Sequence, residues 1–224
     1  MEPSTRQPDV VMDTLYNEGF LALEDPSVGE AVSELERNGF PFWSEEGLDF
    51  VARHIINEPY IRNTLRSWFK ERCVLVHCLR YQAYPGVDIC FRRGGPRAGR
   101  RRFMIHLLPK QARAGYYNGS HLHELPTEET EYLFYKVSHE AIEEQGLQAQ
   151  VVNFEHGGRV MIDARLSLEL KECYIISFVF ATEDVVAKWP PMYLPNLPIL
   201  KEKVDKMETP DIGVNFAFRH NKKD

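Results

Sequence analysis

The stretch that decides the fold is Gly157 to Ala181, GGRVMIDARLSLELKECYIISFVFA. Two runs within and just past it, 159–164 and 173–182, are short and rich in β-branched and aromatic residues. Such side chains favour a pleated, half-buried backbone, so both runs predict strands. Asp163 and Arg165 stand two positions apart at the end of the first run, and if the strand continues through Arg165, both lie on one face of it.

Four more runs of the same character lie upstream of this stretch. Each is bounded by Gly, Pro or Asn, the residues that end strands in turns. Many short strands at such spacing are typical of a sheet sandwich or barrel. The predicted strands are 74–84, 87–93, 101–108 and 148–154.

Helical spacing dominates the front of the chain. Residues 28–38 have apolar positions at helical intervals, and a second helical stretch runs from about Glu45 to Lys70 with a break at Pro59. A third helix, Glu128 to Gln145, is predicted to interrupt the strands, because acidic residues occupy its first turn. The order is therefore helices first, then a strand body with one late helix.

At 224 residues the chain suits a single sizeable domain. We expect a flexible N-terminal arm over 1–14 and one domain over 15–224. The tail is too rich in Pro for regular structure and is expected to wrap the surface before a last strand-like run at 213–220. The parts of the domain are a helical front, a strand core and this tail: 28–70, 73–182 and 189–224.

Composition excludes several classes of protein. The formal net charge of -6 disfavours a nucleic-acid binder, and no apolar run reaches the roughly 18 residues of a membrane span. The start of the chain lacks the pattern of a secretory signal, so a cytoplasmic location is expected. The four cysteines show no Cys-x-x-Cys spacing, which favours reduced, buried thiols over zinc or redox chemistry.

The run Asp163-Ala164-Arg165-Leu166 resembles a motif of the phytanoyl-CoA dioxygenase-like family, which are Fe(II)/2-oxoglutarate-dependent dioxygenases. In that family the motif continues Asp-x-Arg-Leu-Trp-His, and its His binds iron. Residues 101–121, RRFMIHLLPKQARAGYYNGSH, resemble a second conserved run that ends in a Gly-Ser-His turn. The resemblance covers residues 15–185 and points to members of fungal secondary metabolism. It implies a mainly β, α+β fold: a double-stranded β-helix (jelly roll, cupin-like) with helices packed on one face.

The iron ligands of that family are missing. Ser167 and Leu168 stand where Trp and His are expected, and the His-x-Asp position falls at Cys90-Phe91-Arg92. The Arg that clamps the keto acid, expected about ten residues after the His, has no counterpart between Lys171 and Phe180. The resemblance therefore implies that this chain binds neither iron nor 2-oxoglutarate in the family's way, and we expect no cofactor.

An alternative metal site would use His121 and His123, which follow Gly115 with cupin-like spacing and precede Glu128. Two His on alternate strand positions point to one face and can share a metal. The competing interpretation is a Gly-Ser-His turn whose imidazole satisfies backbone groups, and Pro126 favours it by interrupting any strand.

Arginine occupies six of the eleven positions from Arg92 to Arg102. Such a loop suits a small anion, a phosphate or an acidic partner surface, whereas the simpler interpretation is a solvated hairpin tip. Nucleic acid is disfavoured because the loop has no aromatic residue for stacking.

If the chain is an enzyme, His106, Arg165 and Tyr116 are the candidate catalytic residues. His106 titrates near the working range, although a lone His in an apolar strand is more often a hydrogen-bonded core residue. Asp163 and Arg165 are alternatively a structural ion pair. The resemblance implies that six residues face the mouth of the barrel: Tyr81, Cys90, Arg92, His106, Tyr116 and Arg165. The candidate substrate-binding residues are Tyr81, Cys90, Arg92, Tyr117 and Asp163.

Two functions remain open. In the first, the chain is a non-catalytic subunit, a pseudoenzyme that supports an iron-containing dioxygenase paralogue in a heterodimer; a homodimer is the other assembly considered. The Arg92–Arg102 loop and the aromatic tail around Trp189 and Tyr193 would suit docking. In the second, it is a metal-independent cyclase, isomerase or dehydratase that uses the old pocket for a hydrophobic small molecule. Family resemblance points both toward terpenoid or polyketide biosynthesis.

Overall fold

The computed structural model describes residues 8–219. Helices occupy the front of the chain, as predicted. The predicted break is confirmed, because a new helix starts at Pro59. Glu58 caps this helix, and its side chain accepts a hydrogen bond from the Ile61 N–H at 2.7 Å. A π-helical segment, Ala52–Ile56, extends the third helix. The helices are α1 Pro8–Asn17, α2 Pro26–Arg37, α3 Glu45–Val51, α4 Pro59–Phe69, α5 His139–Glu144, α6 Glu183–Val186 and α7 Pro198–Met207.

The strands include all six runs predicted from the sequence, and the second of these in chain order, expected at 87–93, shrinks to two residues. In chain order they are β1 Phe20–Glu24, β2 Cys73–Gln82, β3 Ile89–Cys90, β4 Arg102–Leu108, β5 Ala112–Tyr117, β6 Thr127–Glu129, β7 Tyr135–Val137, β8 Ala149–Phe154, β9 Gly158–Asp163, β10 Leu168–Glu172, β11 Tyr174–Thr182, β12 Met192–Pro195, β13 Ile212–Val214 and β14 Phe216–Arg219.

Two six-stranded sheets face each other. The first has the order β1-β9-β4-β11-β2-β13 and the second β6-β7-β3-β10-β5-β8, while β12 and β14 form a separate parallel pair. Consecutive core strands alternate between the two sheets, from β2 in the first to β3 in the second, then back to β4 and on to β5. This alternation is the double-stranded β-helix, and it confirms the predicted fold class.

The first sheet is buried on both faces. Phe103 and Ile105 of β4 pack toward the helices, in a core that includes Leu48 and Leu65, whereas Met104 joins the core between the sheets. The central strand β11 has all nine residues buried, which explains its nearly continuous apolar sequence. The helices therefore cover one face of the barrel, and the interior between the sheets is left for a site.

The predicted helix over 128–145 is wrong. Its first part forms the hairpin β6–β7, and only His139–Glu144 is helical. Within the turn the Thr130 hydroxyl donates to the Phe134 carbonyl at 2.6 Å and accepts from the Tyr132 N–H at 3.1 Å. Such local bonds compete with helix formation, and the helix starts only where Ser138 caps it.

The expected ends of the chain also need correction. Part of the arm over 1–14 is ordered: α1 begins at Pro8 and buries Val11, Met12 and Leu15 against the helical core, while residues 1–7 lie outside the described part. The Pro-rich tail holds β12, β13, β14 and α7, because a Pro at the first helical position starts a helix instead of breaking it. Residue 220 of the predicted last strand, like 221–224, is not described. Across residues 8–219, no helix has the length and apolar character needed to traverse a bilayer.

Candidate functional site

A cavity of about 300 Å³ opens at one end of the barrel interior. Three strands of the first sheet line one wall, and the β6–β7 hairpin covers the opposite side. Successive side chains of a strand point to opposite faces, so positions 77, 79 and 81 of β2 all point into the cavity. The lining residues are His77, Leu79, Tyr81, Phe91, Arg102, Met104, Glu129, Thr130, Leu133, Phe134, Tyr135, Ala164, Val179 and Trp189.

His77, Arg102 and Trp189 form the most polar part of the wall. The Trp189 ring centroid lies 5.0 Å from that of His77, and the Arg102 guanidinium carbon lies 4.5 Å from the Trp189 centroid. Burial, and next the positive charge of Arg102, lower the pKa of His77. Burial, and next the charge of Arg92, lower the pKa of Arg102. The His77 imidazole is therefore disposed to be neutral at pH 7 and to accept a proton.

Tyr81 provides a further polar group on the cavity wall, and aromatic rings surround it. Its ring centroid lies 5.2 Å from that of Phe91 and 6.0 Å from that of Phe134 on the covering hairpin. Burial raises the pKa of the Tyr81 phenol above its ordinary value, so the hydroxyl keeps its proton and can donate a hydrogen bond.

The interior positions nearest to those expected for the family's iron ligands are apolar. Leu168 begins β10 and pairs with Ile89 of β3, and Phe91 faces the barrel interior beside them. Val179 faces the cavity in the stretch where the keto-acid arginine is expected. Apolar side chains cannot coordinate iron, and residues 8–219 contain no group of three or more His, Cys, Asp or Glu that could hold a metal. The residues present therefore do not fit an iron centre of the family's kind.

The structure corrects the register on β3. Cys90 was expected at the barrel mouth, but its side chain packs on the outer side of the second sheet, in a cluster with Tyr117, Val137 and Ile142. Phe91 takes the interior position instead. Burial raises the pKa of the Cys90 thiol to about 12, so it is not a nucleophile near neutral pH.

His106 and Tyr116 lie deeper in the barrel than the cavity. His106 shares a face of β4 with Met104, and its ring centroid lies 5.7 Å from that of Phe91. Both ring nitrogens of His106, like the hydroxyls of Tyr116 and Ser177, are buried and find no hydrogen-bond partner in the described chain. Burial lowers the pKa of His106 to about 3. His106 is thus fully buried behind Phe91 and does not reach the cavity.

Asp163 and Arg165 form a buried ion pair, the structural alternative considered for them. The Arg165 Nε donates to both carboxylate oxygens of Asp163 at 2.9 and 3.1 Å, and Nη2 donates to one of them at 2.5 Å. Neither residue lines the cavity, contrary to the expectation of a site role at the mouth. Arg92 is likewise directed away, because its guanidinium donates to the carbonyls of Ala98 and Gly99 within its own loop.

The His-x-His pair is divided between two separate contacts. The His121 Nε2 lies 3.1 Å from the Tyr16 carbonyl, and the His123 Nδ1 lies 3.0 Å from the Gln145 side-chain oxygen. Ser120–Leu122 is a short 3₁₀ helix, so the two imidazoles do not share a strand face. This arrangement matches the backbone-satisfying turn and gives no support to the weak metal alternative.

Tyr117 belongs to a polar cluster outside the barrel. Its hydroxyl donates to the Asp88 carboxylate at 2.7 Å, and the His139 Nδ1 lies 2.6 Å from the other oxygen of the same carboxylate. Asp88 is 6% exposed, so this carboxylate joins three elements under cover of the second sheet. Tyr117 was expected to bind substrate, but its hydroxyl is already engaged.

The remaining arginines of the Arg92–Arg102 loop are mostly engaged within the chain. Arg93 pairs with Glu129 at 3.5 Å, Arg101 pairs with Asp184 at 2.8 Å, and the Arg100 guanidinium carbon lies 4.1 Å from the Tyr16 ring centroid.

Sequence reasoning missed His77 and Trp189. The signal for His77 was present, since it lies four positions before Tyr81 on the same face of a predicted strand. Nothing local marked Trp189, which reaches the cavity only because the chain after β11 returns to the barrel mouth.

No family model matches the sequence, and no curated protein matches it. Solved structures do resemble the fold. AviO1 from Streptomyces viridochromogenes Tue57 is 13% identical with a TM-score of 0.52, covering 84% of this chain and 99% of that one. The epimerase SnoN, solved with Fe3+, alpha ketoglutarate and nogalamycin RO, is 13% identical with a TM-score of 0.57, covering 78% and 83%. HygX from Streptomyces hygroscopicus with iron bound is 16% identical with a TM-score of 0.51, covering 80% and 87%.

These neighbours have the fold of iron- and 2-oxoglutarate-dependent oxygenases and epimerases, and one of them, SnoN, comes from nogalamycin biosynthesis. At such low identity the likeness establishes the fold alone. The chain therefore has a double-stranded β-helix fold, and the interior of its barrel near Phe91 and Leu168 is apolar.

Proposed function

We propose that the chain is a metal-independent enzyme of natural-product biosynthesis, a cyclase, isomerase or dehydratase that works in the barrel cavity. One observation carries the proposal. The cavity has His77, Tyr81 and Arg102 on its wall, while the apolar residues Phe91, Leu168 and Val179 lie in the barrel interior near the positions where the resemblance expects the iron and keto-acid ligands. A pocket with a few convergent polar groups on an apolar wall is the common form of a small-molecule site.

The three polar groups suit proton transfer. A neutral His77 acts as the base that removes a proton from the substrate. Tyr81, whose phenol keeps its proton, donates a hydrogen bond to a substrate oxygen. Arg102 holds a negative group, and the aromatic rings of Phe91 and Phe134 exclude water from the reacting part of the substrate.

The alternative role as a non-catalytic subunit keeps the argument from a retained scaffold without the iron ligands, but its two arguments from docking surfaces are weaker than expected. Met192 and Leu194 of the aromatic tail are buried in the helical core, and Trp189 lines the cavity. Tyr193 remains exposed, with the Arg219 guanidinium carbon 3.3 Å from its ring centroid. Most arginines of the Arg92–Arg102 loop contact other residues of this chain. The stand-alone enzyme is therefore the better supported proposal.

The test is turnover without metal. Chelator-treated protein is incubated in D2O with a panel of terpenoid and polyketide intermediates, and products are analysed by mass spectrometry. We expect one class to be converted with solvent deuterium incorporated and no 2-oxoglutarate consumed. His77→Gln should lose this activity, whereas His156→Gln, an exposed His away from the cavity, should keep it. Conversion that requires Fe(II) and 2-oxoglutarate, or that appears only with a ligand-complete paralogue, would refute the proposal.

The pH profile gives a second readout. The pKa of His77 is lowered by burial and by Arg102, so the base form persists below the ordinary value near 6.5. Activity should therefore fall on the acid side at a lower pH than an ordinary imidazole would give, as the pH drops through this lowered pKa. An acid limb at or above pH 6.5 would contradict His77 as the base.

A further inference from the structure

Arg102 is unlike its neighbours in the arginine-rich loop. Within residues 8–219, no carboxylate lies within ion-pair distance of its guanidinium, and no hydrogen bond to it is formed. Its immediate neighbour Arg101 is ion-paired with Asp184, and Arg93 is paired with Glu129. Arg102 is half-buried in the cavity wall and flanked by the Trp189 ring.

A half-buried cation without a counter-ion is costly, because it has lost part of its hydration without gaining a partner. Glu129 also lines the cavity, but its carboxylate contacts Arg93 and its side chain is 75% exposed. The charge of Arg102 is therefore left for a group that enters the cavity from outside.

The other residues of the cavity wall indicate the chemical character of the rest of the ligand. Leu79, Phe91, Met104, Phe134 and Val179 surround the space beyond Arg102 with apolar side chains. Their surface suits an aromatic or aliphatic body more than a second charge.

We propose that the cavity binds an apolar carboxylic acid, with its carboxylate on Arg102 and its body between Phe91 and Phe134. The guanidinium fork matches a carboxylate with two parallel hydrogen bonds. A carboxylate is favoured over a phosphate because one cation neutralises one negative charge, and the second arginine nearby, Arg92, is already engaged by carbonyls of its own loop. The inference rests on the proposed function, since it names the substrate class of the same cavity.

Binding in this way also orients the acid for proton transfer. His77 and Arg102 both contact Trp189, so a carboxylate on Arg102 brings the carbon atoms next to it toward the His77 side of the wall. Protons on those carbons are the ones that a carboxylic acid releases most readily among its C–H groups. An isomerase or dehydratase of unsaturated or hydroxylated acids fits this arrangement.

The test uses 3-phenylpropanoate as the probe and 3-phenylpropanamide as its uncharged counterpart, titrated calorimetrically into the chelator-treated full chain. Arg102→Gln removes the charge in the cavity, and Arg101→Gln removes the adjacent charge outside it. Arg102→Lys keeps a charge without the planar fork. Each variant is first checked for an unchanged thermal midpoint. We expect Arg102→Gln to weaken binding of the acid at least about tenfold, Arg102→Lys to weaken it less and Arg101→Gln to leave it unchanged.

The possible failures are distinguishable. If the acid binds Arg102→Gln and Arg101→Gln equally, or the amide binds as tightly as the acid, the carboxylate assignment is overturned while the cavity remains a ligand site. If neither probe binds any form of the protein, the cavity is not a ligand site and the proposed function falls with it. Displacement of the acid by inorganic phosphate at matched ionic strength would replace the carboxylate by a phosphate as the ligand group.

Discussion

Among the described residues, polar side chains are hydrogen-bonded to one another in the Asp88 cluster, on the outer side of the second sheet, but not in the cavity. In the cluster, one buried carboxylate is engaged by Tyr117 and by His139. In the cavity, the side chains of His77 and Arg102 make ring contacts but no hydrogen bond or ion pair with any residue from 8 to 219. Polar groups that satisfy one another hold the fold together, whereas polar groups left unsatisfied beside an open space are available to a ligand.

The largest effect is expected from Asp88→Ala. Removing this carboxylate leaves the buried Tyr117 hydroxyl without an acceptor and releases His139. The free energy of unfolding should fall by about 2 kcal/mol, roughly 30-fold in the unfolding equilibrium. Urea denaturation measures the loss, and Asp88→Asn, which keeps an acceptor oxygen, should lose less. Binding of 3-phenylpropanoate by the folded fraction should not change. If Asp88→Ala is as stable as the wild type, or if it loses ligand binding, the claim that the Asp88 cluster stabilises the fold while the cavity binds the ligand is wrong.

A substitution that fills the cavity should weaken ligand binding and leave the stability of the fold nearly unchanged, the reverse of Asp88→Ala. Ala164 lines the cavity with its methyl group, so Ala164→Leu places extra carbon atoms in the space that the ligand would occupy. We expect at least about a tenfold loss of 3-phenylpropanoate affinity with a change in unfolding free energy below about 1.5 kcal/mol. Ala141→Leu on α5 adds the same atoms away from the cavity and should leave affinity unchanged. Equal affinities of both variants would show that the acid binds elsewhere.

A smaller effect is expected from a substitution at the buried end of the barrel, beyond the cavity. Ser177 is buried beside His106 on paired strands, and its hydroxyl has no partner in the described chain. Ser177→Ala removes an unsatisfied polar group, so stability should stay level or rise by up to about 1 kcal/mol. Thermal unfolding and urea denaturation are the measurements. A clear loss of stability would mean that the hydroxyl is satisfied, for example by a buried water, and that this end of the barrel is not dry.

The smallest effect is a pH dependence of the Asp88 cluster. The hydrogen bond with Asp88 raises the pKa of His139 above 6.5, so the folded state holds its proton more tightly than the unfolded chain. The stabilisation is fully present below pH 6.5 and is lost as the pH rises through the raised pKa. His139 is largely exposed, so the change is modest. The urea midpoint of wild type should decline slightly more between pH 6 and 8 than that of His139→Gln. A decline of the same size in both would remove His139 as its source.

The fold could be predicted because its central strands have unambiguous local signals. The runs that became β4, β9 and β11 are apolar, short and bounded by turn residues, and burial on both faces only strengthens that signal. The helix expected over 128–145 failed for a local reason as well. Hydrogen bonds of the Thr130 side chain close a turn that acidic composition does not reveal.

The site could be predicted only in part. The motif around Asp163 identified Leu168 as the residue in place of the iron-binding His, and the resemblance pointed to Tyr81. Alternation along β2 would have added His77 to Tyr81, but it was not used. The motif could not decide whether Cys90 or Phe91 faces inward, because a two-residue strand shows too little alternation. Nor could sequence single out Arg102 among six arginines. Its lack of a partner depends on residues brought together from distant parts of the chain, including Trp189.

The most direct test of the central claim is to measure how the affinity for 3-phenylpropanoate depends on iron. The chelator-treated protein is titrated calorimetrically with the acid, and the titration is repeated with saturating Fe(II) and 2-oxoglutarate. The apolar character of Phe91, Leu168 and Val179 predicts the same dissociation constant in both, with no heat from iron or keto acid alone. Binding of the acid that requires iron would show that the cavity still works as a dioxygenase site.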